Sequence, residues 1–227
     1  MFTLVLLSGG SGIRMKKDIP KQYLLLAGKP VIMHTLERIN KIEQISEIVV
    51  VCTDEYVPLI REMLVQYNIT KPIKFAKAGN TRQASVKSGV ELVTTENVII
   101  HEAARPFVAE KDFARLIDAP CENAMYGLSI PFTVIKGHDM VEGILDRSEL
   151  VNVQLPQKFN TEILRDAHKK AAQENRYFTE DAGLVYYYYP DVDIKICEGM
   201  AYDIKLTTSL DLIIGESIYR EHFARRK

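Results

Sequence analysis

Apolar residues arrive along this chain in short blocks, and the spacing inside the blocks is of two kinds. Val5-Leu6-Leu7 closes a compact apolar run, the pattern of a buried strand. Over residues 31–42 the apolar positions Ile32, Leu36 and Ile39 recur at helical spacing behind Pro30, which suits the opening turn of a helix. Residues 45–52 are β-branched and nearly continuous in their second half, as in a strand covered on both faces. Residues 56–67 read as an amphipathic helix, 74–77 as a short strand ending at Gly79, 81–93 as a helix and 97–101 as another buried strand. This alternation predicts an α/β fold, a mainly parallel sheet with helices on both faces. In such sheets ligands bind beyond the carboxyl ends of the strands. The glycine loop after Leu7, the Gly79 turn and the segment after His101 all fall at that edge.

The second half is less regular. Residues 124–130 read as a strand, and 132–153 as a mixed, weakly helical stretch that leaves the main body as an arm or covers a neighbouring subunit. Residues 161–173 and 179–187 read as helices, 192–197 as a strand and 209–222 as a closing helix. The run Tyr186 to Tyr189 reads as helix-end packing. No repeat, low-complexity segment or linker divides the chain, so residues 1–227 are expected to form one domain with an arm at about 132–155.

Composition narrows the choice of partners. Of 227 residues, 47% are apolar and 26% charged, and the formal net charge is −1. That balance leaves no footprint for nucleic acid or an anionic membrane, so any basic surface is local. Cys52, Cys121 and Cys197 lie far apart without a C-x-x-C, as in a reduced, cytoplasmic protein. The apolar amino terminus is too short for a signal sequence, and no run approaches a membrane span.

Candidate chemistry concentrates near the start. Ser8-Gly9-Gly10-Ser11-Gly12 is a loop almost without side chains, whose successive N–H groups can converge on an anion. Arg14, Lys16, Lys17 and Lys21 follow. A glycine cradle trailed by cations describes a phosphate site, suited to a polyphosphate. It is not a P-loop, because no glycine precedes Lys-Ser or Lys-Thr in that register. Nor is it a dinucleotide fingerprint, because Met15 stands where the third glycine belongs. The plain alternative is a glycine-rich surface turn with solvated lysines.

Several short motifs occur in order: the opening loop with Arg14, then Pro20-Lys21-Gln22-Tyr23 and Leu26-Ala27-Gly28-Lys29-Pro30. They continue with Ala78-Gly79-x-x-Arg82-x-x-Ser85-Val86, His101-Glu102-Ala103-Ala104-Arg105-Pro106 and Pro156-Gln157-x-Phe159. Thr179-Glu180-Asp181-Ala182, Glu198-Gly199 and Ile204-Lys205-x-Thr207 complete the set. Together they resemble the cytidylyltransferases that act on methylerythritol phosphate and their relatives acting on ribitol phosphate. The resemblance covers nearly the whole chain. It implies a Rossmann-like three-layer nucleotidyltransferase domain with a protruding dimerisation arm, CTP as co-substrate, and magnesium.

Residue by residue, the resemblance implies that Gly9, Gly10, Ser11 and Gly12 cradle the triphosphate while Arg14, Lys21 and Lys205 serve catalysis. Gly79 and Ser85 would read the pyrimidine, although Ser85 also suits an ordinary helix-surface serine. Glu102 would ligate the metal, with a salt bridge as its alternative role. Arg105, Arg147 and Thr179 would hold the acceptor, a polyol phosphate. The arm would carry Arg147 to the partner's site in a homodimer, unless Arg147 is a solvated charge. Arg82 suits a structural role. The chemistry needs no general base, because a phosphate monoester is largely dianionic at neutral pH, with a second pKa of about 6.

Three positions depart from the family pattern: Glu102 for aspartate, Leu155 for threonine, and Asp203 for asparagine. They fall at the metal and acceptor side and raise the expectation of a different polyol phosphate, or of impaired activity. Two other readings stay open: a nucleotide-binding homologue without catalysis, and a nucleotidyltransferase joining another nucleoside triphosphate to a sugar 1-phosphate.

Overall fold

The computed structural model describes residues 1–10 and 19–224. In chain order its first half runs β1 (Phe2–Leu7), β2 (Leu25–Leu26), β3 (Lys29–Pro30), α1 (Val31–Asn40), β4 (Ile45–Cys52), α2 (Val57–Gln66), β5 (Ile73–Lys77), α3 (Arg82–Val90), β6 (Asn97–Glu102) and α4 (Glu110–Ile117). The second half runs β7 (Asn123–Ser129), β8 (Val134–Gly137), β9 (Val141–Leu145), β10 (Val151–Asn160), α5 (Thr161–Gln173), α6 (Asp181–Tyr188), β11 (Ile194–Glu198) and α7 (Ser209–His222).

Seven strands pair in the order β11-β7-β10-β6-β1-β4-β5. Neighbours run parallel except where β10 inserts antiparallel between β6 and β7. The strand side chains divide between the two faces with period two. Leu4, Leu6, Ile48, Val50 and Ile99 pack on one face with α1, α2 and α4. Val5, Val49, Val51, Val98 and Ile100 pack on the other with α3, α5 and α6. Both faces are covered, which is why these strands read as continuous apolar runs rather than alternating ones. The fold is the expected α/β architecture with a mostly parallel central sheet.

β1 lies between β4 and β6, and the chain leaves it first toward β4 and β5, later toward β6. The carboxyl end of β1 is therefore a topological switch point, where an open α/β sheet forms its ligand crevice. The loop beginning at Ser8 emerges there.

The short β2–β3 pair, α4 and β10 differ from the sequence pattern. α4 escaped it because its apolar stripe in eight residues comes down to Phe113, Leu116 and Ile117, too brief a period to register. β10 continues through Pro156, a residue unsuited to a central strand. It is accommodated where the β10–β7 register shifts between Gln154 and Gln157. The 132–153 stretch resolves into the β8–β9 hairpin and the start of β10. Phe132, Met140, Val141 and Ile144 in and around that hairpin are each at least 70% exposed.

Candidate functional site

Four chain segments meet at the switch point. After β1, the Ser8 N–H donates to the Val51 carbonyl at 2.7 Å, so the loop starts in register with the sheet. Gln22, buried in a short 3-10 turn (Lys21–Tyr23), donates its amide to the carbonyls of Ser8 at 2.6 Å and Gly10 at 3.0 Å. One side chain thus pins the glycine loop and delivers Lys21 beside it.

The second segment is the turn after β5. A Cβ on Gly9 would come within 2.3 Å of the Ala78 Cβ, so only glycine lets the two loops approach this closely. A Cβ on Gly79 would meet the Ala84 Cβ at 2.5 Å. The Gly79 N–H donates to Ser85 Oγ at 3.1 Å, Ser85 Oγ donates to the Thr81 carbonyl at 2.9 Å, and Thr81 Oγ1 caps α3 by accepting from the Ala84 N–H. The turn and the first turn of α3 are one hydrogen-bonded unit.

The third segment follows β6, where the Ala103 N–H donates to the Leu7 carbonyl at 3.0 Å and fixes Glu102 at the sheet edge. The fourth carries Lys205 and is tied to the third by the Leu206 N–H on the Ala104 carbonyl at 2.8 Å. Gly9, Gly10, Lys21, Gly79, Ser85, Glu102 and Lys205 line one cavity, with Asn80, Thr81 and Arg82. Ser11, Gly12 and Arg14 lie outside the described residues.

The cavity's electrostatics centre on Glu102. Its Oε2 lies 2.5 Å from Lys205 Nζ, and its Oε1 accepts from Arg82 Nε at 3.1 Å. Burial pushes the carboxyl up, but Lys205 and Arg82 outweigh it and hold it down at about 2. Arg82 Nη2 also donates to Asp181 Oδ2 at 2.7 Å, and Asp181 Oδ1 lies 3.2 Å from His168 Nε2. Burial likewise raises Asp181, while Arg82 and His168 bring it down to about 2.

The remaining expected residues lie elsewhere. Arg105 Nη1 donates to the carbonyl of Asp203 at 3.1 Å and to its Oδ2 at 3.2 Å, and Arg105 is not among the cavity's lining residues. Arg147 lies between the hairpin and β10, donating to the Pro131 carbonyl. Thr179 is exposed just ahead of α6. Arg82 and Gln22 are what motif reading undervalued. Arg82 and Ser85 stand three residues apart, on one helical face, and that spacing was the available signal. Nothing in the residue type marks Gln22.

A second depression, between α1 and α7, also holds cations: Lys29 on Glu37, Lys41 on Glu110, and Arg38 on the carbonyls of Pro106 and Val108.

Comparison with known proteins bears on the same segments. Residues 2–221 match the family model described as 2-C-methyl-D-erythritol 4-phosphate cytidylyltransferase. The chain belongs to that family. A 2-C-methyl-D-erythritol 4-phosphate cytidylyltransferase of Syntrophus aciditrophicus (strain SB) is 35% identical, over 96% of this chain and 95% of the relative. One of Clostridium botulinum (strain Langeland / NCTC 10281 / Type F) is 36% identical, over 95% and 96%. Among solved structures, the 4-diphosphocytidyl-2C-methyl-D-erythritol synthase of Anaerococcus prevotii DSM 20548 superposes with a TM-score of 0.86 over 96% of each chain, at 24% identity. The 2-C-methyl-D-erythritol 4-phosphate cytidylyltransferase of Thermus thermophilus gives 0.77 over 97% and 100%, at 27% identity. Members of this cytidylyltransferase family are nucleotidyltransferases.

Set in the cytidylyltransferase family, the three departures separate. Leu155 is buried in β10, and Asp203, 2% exposed, faces Arg105; neither lines the cavity. Burial pushes the Asp203 carboxyl up to about 7, against the pull of Arg105. Only Glu102 departs inside the cavity. It is also the only acid among the described lining residues. Among the described residues no cluster of three His, Cys, Asp or Glu side chains is placed to hold a metal. Magnesium usually takes one or two carboxylates and completes its shell with substrate phosphates and water. A single carboxylate that stays ionised at every working pH fits that mode.

Proposed function

We propose that this chain is a CTP-dependent cytidylyltransferase that transfers CMP to a polyol phosphate, methylerythritol 4-phosphate foremost, and releases pyrophosphate. The observation that carries the reading is the convergence of Gly9, Gly10, Lys21, Glu102 and Lys205 on one cavity at the switch point. An oxygen of the acceptor's phosphate attacks the α-phosphorus; the new P–O bond forms as the bond to the β-phosphate oxygen breaks, and the electron pair leaves with pyrophosphate. No proton has to move. The obstacle is repulsion between two polyanions, and fixed positive charge lowers it.

The loop N–H groups at Gly9 and Gly10 and the Lys21 ammonium would take the triphosphate. Lys205 would approach from the opposite wall, and Gly79 with Ser85 would bound the base. Glu102, with the phosphates, would hold magnesium, which when bound supplies further neutralisation of the phosphate charge.

The acceptor's binding groups point to a second copy. Arg147 does not line its own chain's cavity, and the hairpin ahead of it exposes apolar side chains suited to burial against another protomer. A homodimer in which each arm brings Arg147 to the other's site accounts for both features, with Thr179 completing the acceptor pocket. Arg105 would act from behind, through the segment bearing Lys205.

Methylerythritol phosphate is the acceptor in the relatives' names, and two of the three departures do not line the cavity. Glu102 is the one observation that favours another acceptor, such as ribitol 5-phosphate. Pyrophosphate release measured with CTP, UTP, GTP and dTTP against a panel of polyol and sugar phosphates tests the reading. The expected result is turnover with CTP and methylerythritol 4-phosphate. Binding of CTP without pyrophosphate release would mark a non-catalytic homologue, and preference for another nucleotide with a sugar 1-phosphate would overturn the acceptor class.

A further inference from the structure

A line of polar and charged side chains leads to the cavity, and the transfer reaction as proposed does not use its inner members, His168, Asp181 and Arg82. It begins at His168 on α5, passes to Asp181 on α6 at 3.2 Å, and crosses to Arg82 on α3 at 2.7 Å. It continues to Glu102 at the end of β6 at 3.1 Å and ends at Lys205 at 2.5 Å. The side chains of His168, Asp181 and Glu102 are 1%, 2% and 9% exposed; Lys205, at the cavity end, is 36% exposed. Asp181 Oδ2 accepts from Arg82, and its Oδ1 lies 3.2 Å from His168 Nε2. Arg82 uses two different nitrogens, Nη2 toward Asp181 and Nε toward Glu102. A planar guanidinium held at two points has its orientation fixed.

The two oxygens of Glu102 are therefore held differently. Oε1 is bound to a rigid, doubly anchored arginine, whereas Oε2 meets, among the described residues, only the mobile ammonium of Lys205. A triphosphate entering the cavity competes for that ammonium, since Lys205 is a flexible point charge at the cavity wall. Once Lys205 turns to phosphate, Oε2 is left facing the cavity while Oε1 stays in place.

We propose that Arg82, anchored by Asp181, is the positioning residue that holds Glu102 while its free oxygen passes from Lys205 to a divalent cation arriving with the nucleotide. The proposal rests on the reading of this cavity as a nucleoside triphosphate site. It explains why a carboxylate suited to a metal lies between two cations: the exchange makes metal binding conditional on the nucleotide.

The test is Mn2+ binding to the full chain, read from the paramagnetic resonance signal of the free ion, with and without CTP and with no acceptor present. Calorimetric titration of CTP without metal runs alongside. The wild type is expected to bind Mn2+ at least tenfold tighter with CTP than without. The double variant Arg82→Gln/Asp181→Asn removes both buried charges together and leaves no lone one. With CTP saturating, it is expected to lose at least tenfold in Mn2+ affinity for the CTP complex. Arg82→Lys keeps the charge without the two-point anchor and is expected to lose severalfold, which decides the matter if the double variant fails to fold. A folded double variant, or Arg82→Lys, that holds Mn2+ as tightly as the wild type overturns the proposal. Failure of the wild type to bind CTP at all overturns instead the reading of the cavity, and the positioning role with it.

Discussion

At position 203 a carboxylate is nearly sealed from water, with Oδ2 on Arg105 at 3.2 Å and Oδ1 without a hydrogen-bond partner. Its folded-state value of about 7 lies above that of an unfolded aspartate. The folded protein therefore binds the extra proton between about pH 4 and 7, and stability falls as pH rises through that window. The full interval is worth about 4 kcal/mol. Asp203→Asn lacks this titration, so its melting temperature is expected to gain on the wild type as pH rises from 5 to 8, by several degrees. A difference that stays flat over that range would contradict the assignment. Glu102 and Asp181 act in the opposite sense: both are depressed, so their contribution is present at neutral pH and lost as pH falls from about 4.5 toward 2. Lys205→Ala is expected to lower kcat at least 100-fold, as loss of a charge-stabilising group does, and to lower the melting temperature at neutral pH, because Glu102 then keeps, among the described residues, only its ion pair with Arg82 against its burial. Gln22→Ala leaves two loop carbonyls without their buried donor and is expected to cost about 1–3 kcal/mol in stability and to weaken CTP binding. Gly9, Gly10 and Lys21 could be read together as a glycine loop trailed by a cation, and Lys205 entered only through the family motif; the structure brings these four to one cavity. Gln22, Arg82 and the Arg105–Asp203 pair were not legible, because their roles depend on which distant group each one meets.

Among the elements, the hairpin and the start of β10 are what the body of the protein does not explain. Their apolar side chains face solvent in a chain whose sheet buries its own so thoroughly. If the hairpin serves the other protomer, Ile144→Asp gives a monomer by sedimentation and loses activity with it. A complementation experiment separates assembly from chemistry. Arg147→Ala and Lys205→Ala, each inactive alone, are mixed after dissociation. Mixed dimers then contain one site with an intact Lys205 and an intact Arg147 from the other protomer. Random pairing restores about a quarter of wild-type activity if the arm acts in trans, and none if it acts in cis. Strands β1, β4 and β6 could be read in advance because both of their faces are covered. β10 could not be read whole, because its exposed start and Pro156 disguise a strand whose second half is buried.

For the whole molecule, the alternation of periods announced an α/β fold, and the glycine loop announced where its ligand edge would be. Sheet order and the antiparallel insertion of β10 were not legible, since both depend on pairings between segments far apart in the chain. Those pairings matter for function: they place β1 between β4 and β6, so that the loop after β1, the turn after β5, the end of β6 and the Lys205 segment share one cavity. The central claim is that this cavity holds CTP so that a second phosphate can displace its pyrophosphate. Phosphorus NMR of the protein incubated with CTP, magnesium and methylerythritol 4-phosphate tests it most directly. The account predicts equimolar free pyrophosphate and a new pair of coupled resonances from a diphosphate diester joining cytidine to the polyol, both absent with Lys205→Ala. Unchanged CTP and acceptor signals in the presence of folded wild-type protein would contradict it.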